Sequence, residues 1–129
     1  LLFWTLGARA FAVDVTIIES EMVTVAKWIN QNTPSDVVIA AHDIGALGYF
    51  SNRNLLDLAG LVNPEVIPFI RDEAALRRYL DDKGADYLIT FPSWYPRLIL
   101  GKKKIYQTNS RISLLHGGEN LEVYIWRLR

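Results

Sequence analysis

The chain has 129 residues, half of them hydrophobic, which suits one domain with a single substantial core and excludes a disordered chain. Its 14 Lys+Arg balance 14 Asp+Glu, so the basic excess that a phosphate backbone requires is missing and nucleic acid is not an expected partner. With no cysteine, disulfides and thiolate metal sites are excluded, although the compartment is left open.

Ten of the first thirteen residues, Leu1 to Val13, are apolar. A bilayer span needs about 20 such residues, so this stretch does not cross a membrane by itself. A basic start and a small-residue cleavage site, the marks of a signal peptide, are not clear here. Two readings remain: a buried N-terminal segment, or the trailing end of a membrane helix or linker. The absence of an initiator Met favours the second, leaving residues 14–129 as a single soluble domain.

From Asp14 the spacing of Val15, Ile18, Met22, Val25 and Ile29 predicts a helix over 14–31 with one apolar face. Asp14 is placed to cap its start, Glu19 and Glu21 fall on the solvent side, and Met22 and Trp28 read as core. Asn32-Thr33-Pro34 ends it. Val37 to Asp43 reads as a buried strand, followed by a short helix at about 45–50 and a second strand at about 54–58. Asn63-Pro64 opens a short helical turn. Asp72 caps a further helix with Leu76, Tyr79 and Leu80 inward, Glu73 and Arg77 paired at i,i+4, and Gly84 closing it.

Ala85 to Phe91 reads as the third buried strand. Beyond it, Lys104 to Thr108, Arg111 to His116 and Leu121 to Leu128 read as strands, with His116 to Asn120 supplying a hairpin turn. Leu121, Val123 and Ile125 share one face of the last strand and Tyr124, Trp126 and Leu128 the other, which predicts cover on both sides. Lys102-Lys103-Lys104 suits a solvated loop before an edge strand better than a contact with lipid phosphates. The expected fold is α/β: a three-layer-like arrangement in which a parallel βαβαβ half is completed by an antiparallel C-terminal meander.

Asp43 and Asp57 each stand at the C-terminal end of a predicted parallel strand, the edge where open α/β sheets place their sites. With Asn63 and the aromatic loop carrying Trp94 and Tyr95, they form the candidate substrate-binding group, suited to a sugar or a cation. The competing reading, which is favoured, has Asp43 and Asp57 accepting amides of their own turns. No catalytic residue, metal site or cofactor emerges. Gly45-Ala46-Leu47-Gly48 lacks the dinucleotide-binding spacing, no Walker A sequence is present, and His42 and His116 lie far apart. A triad of Ser93, His42 and Asp43 fails because no G-x-S-x-G elbow is present, and His42 and Asp43 are neighbours on opposite strand faces.

Several segments taken in order carry a resemblance. They are Ala26-Lys27-Trp28-Ile29, Asn32-Thr33-Pro34, Asp43-Ile44-Gly45-Ala46, Gly48-Tyr49-Phe50, Asp57 to Glu65, and Gly84-Ala85-Asp86-Tyr87-Leu88. Together, over roughly residues 14 to 95, the set resembles the C-terminal soluble domain of bacterial multi-spanning glycosyltransferases of the GT-C class, such as the dolichyl-phosphate-mannose protein mannosyltransferases. The resemblance implies a parent enzyme of the cell membrane using a polyprenyl-phosphate sugar, with this domain on the extracytoplasmic side. It implies that the catalytic acid lies outside this chain, so the domain itself is accessory and non-catalytic. The membrane-embedded part of the same polypeptide is then the expected partner, with an acceptor sugar or lipid head group as the expected ligand. The alternative is a free-standing α/β enzyme or sugar-binding protein using the Asp43/Asp57 edge; a third reading is a purely structural or protein-interaction module.

Overall fold

The computed structural model describes residues 2–128; Leu1 and Arg129, the outer ends of the two predicted segments, lie outside the described residues. Five strands form one sheet in the order β2-β1-β3-β5-β4, where β1 is Val38–Ala41, β2 Asn54–Asp57, β3 Tyr87–Thr90, β4 Lys103–Gln107 and β5 Glu122–Ile125. The three apolar runs pair in parallel as their composition requires, Ala41 opposite both Asp57 and Ile89. β5 joins antiparallel to β3, with Leu88 opposite Tyr124, and β4 closes the other side of β5 through a bulge at Lys104–Tyr106.

Alternation along the strands divides the core in two. Ala40, Leu88, Tyr124 and Trp126 face a layer that includes Leu76, Tyr79 and Leu80 of helix α4 (Glu73–Asp82), together with Val66 of a 3-10 turn over Pro64–Phe69. Ile39, Ala41, Ile89, Leu121 and Val123 face Val25, Ala26 and Ile29 of α2 (Thr24–Asn32) and Leu47 of α3 (Gly45–Phe50). The fold is therefore α/β with helices on both faces. The chain passes from β1 over one face to β2 and returns over the other face to β3, as right-handed crossovers demand when the strand order reverses.

The first helix differs from expectation. It does not start at Asp14: α1 spans Leu2–Ile18, continues through a π-helical segment at Glu19–Val23, and runs on as α2. Leu2 to Val13 contains no proline and three alanines at positions 8, 10 and 12, so nothing there stops a helix and Asp14 sits in its interior. The π segment breaks the predicted apolar stripe by shifting the face that meets the sheet. Val15 and Ile18 are 40% and 49% exposed, whereas Val25 and Ile29 are buried. The same shift turns Glu21 inward: it is fully buried, not solvent-facing.

The helix at α4 is capped as expected, Asp72 accepting from the amides of Ala74 and Ala75, with Gly84 at φ +71 beyond its end. Glu73 and Arg77 do not pair with each other. Both reach the turn at 97–98 instead: Glu73 Oε2 accepts from the amides of Arg97 and Leu98, and Arg77 Nη2 donates to both carbonyls.

The C-terminal part is antiparallel as expected, β4 pairing with β5 and β5 with β3, but its middle expected strand is corrected. Arg111 to Leu115 is a short helix, α5, with Ser110 as its cap, so β4 and β5 are joined through a helix and are not followed by a hairpin. The alternation Ile112-Ser113-Leu114 imitates a strand over only three residues, and the cap decides against it. β4 is an edge strand, as expected from its lysines; Lys104 pairs with Glu122 across the ladder, and Lys102 lies over the Trp126 ring, donating to the Trp126 carbonyl.

Candidate functional site

In an open sheet of this kind the crevice for a ligand lies outside the carboxyl ends of the strands, at the place where the strand order reverses. Here that place is between β1 and β3, because β2 lies on one side of β1 and β3 on the other. His42 follows β1 directly, and the turn Phe91-Pro92-Ser93-Trp94-Tyr95 follows β3. A cavity of about 510 Å³ opens there, lined by His42, Ile70, Arg71, Glu73, Trp94 and Tyr95. Its third wall comes from the end of the 3-10 turn and the first residue of α4.

The aromatic side is held from several directions. Trp94 makes T-shaped contacts with His42 and Phe91 at centroid distances of 4.8 and 4.9 Å, and the amide of Trp94 bonds back to the Phe91 carbonyl at 3.1 Å. The indole is still 45% exposed. Tyr95 is buried, and its hydroxyl lies 2.7 Å from His42 Nδ1. Burial, reinforced by the negative charges of Asp57 and Glu73, pushes the Tyr95 hydroxyl up to about 12, so it keeps its proton. Its one hydrogen bond among the described residues is to His42 Nδ1. The polar rim is a mixed pair: Arg71 bonds to no described residue, and Glu73 commits only Oε2 to the 97–98 turn.

The residues expected from the sequence divide accordingly. Trp94 and Tyr95 line the cavity. Asp57 does not; it is fully buried, and its two oxygens accept from the amides of Ala59 at 2.8 Å and Val62 at 2.7 Å. Asn63 supports that turn by accepting from the Asp57 amide at 2.9 Å. Asp43 is half-buried and caps nothing: α3 starts at Gly45 with no side-chain cap, and no described residue bonds the Asp43 carboxylate. His42, set aside above as a triad member and as a metal ligand, belongs to the cavity together with Ile70, Arg71 and Glu73. The signal for His42 was its place at the C-terminal end of the first expected strand; Arg71 and Glu73 flank a recognisable helix cap, but nothing local says what that cap faces.

Among the described residues no group of three or more His, Asp or Glu is disposed to hold a metal ion. No helix among them is long and apolar enough to cross a membrane. No curated protein and no solved structure matches the chain. A family model, described as a domain of unknown function (DUF8728), matches residues 13–124, which covers all of the sheet but Ile125 and includes α2, α3 and α4. The chain belongs to that family.

Proposed function

We propose that this chain is the accessory, non-catalytic extracytoplasmic domain of a membrane glycosyltransferase that draws its sugar from a polyprenyl phosphate. The observation that carries the reading is α1. Phe3, Trp4, Leu6 and Phe11 are 87, 81, 58 and 69% exposed on a helix that runs through the π segment into the core helix α2. Large apolar side chains concentrated on one element mark a surface that another apolar body covers. In this reading that body is the membrane-embedded part of the same polypeptide, and α1 is the strut between the two.

Sugar transfer needs a positioned acid or base and a groove that holds the lipid-linked donor in reacting geometry. A cavity of about 510 Å³ is on the scale of a small-molecule site and not of a polyprenyl chain. The alternative of a free-standing enzyme built on Asp43 and Asp57 has less support, since both oxygens of Asp57 are engaged by its own turn. The test compares purified chain with membranes carrying the full-length protein, each given polyprenyl-phosphate sugar and candidate acceptors. Turnover confined to the membranes is expected. Turnover by the purified chain overturns the accessory assignment.

A further inference from the structure

We propose that the cavity between the ends of β1 and β3 is a binding site for one uncharged pyranose unit, stacked on Trp94. This deepens the reading above and rests on it only for where the sugar comes from. The stacking surface is the half-exposed Trp94, held by T-shaped contacts with His42 and Phe91, so it is already ordered before a ligand arrives. A pyranose presents a face of C–H groups to such a ring and a belt of hydroxyls around it. Each hydroxyl both donates and accepts, and the cavity supplies both partners: Arg71 donates, and Glu73 Oε1 accepts.

The charges decide between an uncharged sugar and an anion. Arg71 and Glu73 cancel, and the Tyr95 hydroxyl keeps its proton. A phosphate placed beside Arg71 would therefore also face the Glu73 carboxylate. The volume of about 510 Å³ leaves room for a sugar ring and accompanying water.

The experiment titrates the purified chain with methyl mannopyranoside, methyl glucopyranoside and methyl galactopyranoside, and separately with the matching hexose 1-phosphates. Binding is followed by the Trp94 indole N–H resonance and by calorimetry. At the efficiency usual for small polar ligands, at least one methyl glycoside should bind with Kd ~1 mM. Trp94→Ala should weaken it about tenfold, and Arg71→Met about three- to tenfold. Arg71 is exposed and has no described partner to lose, so Arg71→Met should keep the wild-type thermal transition, whereas Trp94→Ala loses its contacts with His42 and Phe91 and is titrated well below its own transition.

The hexose 1-phosphates should bind no more tightly than the methyl glycosides, which would identify the ligand as an acceptor sugar and not the donor head group. Absence of binding at about fifty times that concentration overturns the proposal. So does binding that neither variant changes, or a 1-phosphate that binds more than tenfold tighter. Failure here leaves the membrane transfer assay untouched, and turnover by the purified chain in that assay would leave a measured sugar affinity standing.

Discussion

Replacing Glu21 with Ala should destabilise the domain by about 2 kcal/mol. Glu21 is fully buried in the π segment, where Oε2 accepts from the amide of Leu121 at 2.8 Å and from the Thr108 hydroxyl. It joins the long helix to the point where β4 ends and β5 begins. Two lost hydrogen bonds cost about 1 kcal/mol each. The lost Cγ methylene leaves a void worth about 0.8 kcal/mol. Against this, Oε1 is buried without a partner, and its removal returns about 1 kcal/mol. Leu121 N keeps a second acceptor in Thr108 Oγ1 at 2.9 Å, which limits the damage. In a domain of this size the change corresponds to a fall of ~8 °C in Tm. Glu21→Gln retains an acceptor for the Leu121 amide and should cost about half as much. Urea titration with tryptophan fluorescence gives both values. An Ala variant within about 1 kcal/mol of wild type would refute the argument that this carboxylate ties the helix to the sheet.

Two further outcomes follow from the strand ends and the buried tyrosines. Asp57→Ala should lower stability by about 0.5–2 kcal/mol, because the amides of Ala59 and Val62 lose their acceptors, whereas Asp43→Ala should stay within about 0.5 kcal/mol; equal effects in chemical denaturation would contradict the assignment. Burial holds the hydroxyls of Tyr95 and Tyr79 up at about 12, against about 10 in the unfolded chain. Between those values the folded state keeps protons that the unfolded state has lost, so stability is intact below pH 10 and falls as the pH rises toward 12. A urea midpoint that is the same at pH 9 and pH 11.5 would contradict this, and Tyr95→Phe should make the fall shallower.

The parallel half was legible because its strands are buried on both faces. Val37 to Ala41 and Ala85 to Phe91 are nearly unbroken apolar runs, and the cap at Asp72 with the glycine at position 84 frames the helix between β2 and β3. The two-sided β5 was legible for the same reason: Val123 packs in one core cluster, and Tyr124 and Trp126 in the other. The inward turn of Glu21 was not, because a 3.6-residue period assumes a regular helix and the π segment adds a local shift in phase. α5 was missed because five residues carry too little periodicity to separate helix from strand, although Ser110 already marked a helix start. The cavity was half legible. Trp94 and Tyr95 announced themselves as loop aromatics, but His42, Arg71 and Glu73 come from segments about thirty residues apart, and only the sheet order brings them together.

The position of β5 has a consequence for how the molecule is made. A polypeptide grows from its N-terminus, so β4 is synthesised before the strand on which it must lie. Until residues 122–125 arrive, β3 offers a row of unpaired amides and carbonyls to the surroundings, and β4 has no place in the sheet. Glu122–Ile125 thus works as a keystone: it pairs with both neighbours at once and closes both halves of the core in the same event. A nascent chain halted before Glu122 would keep its parallel half exposed and sticky, the state that a chaperone recognises and that another copy of the same chain could mistake for a partner.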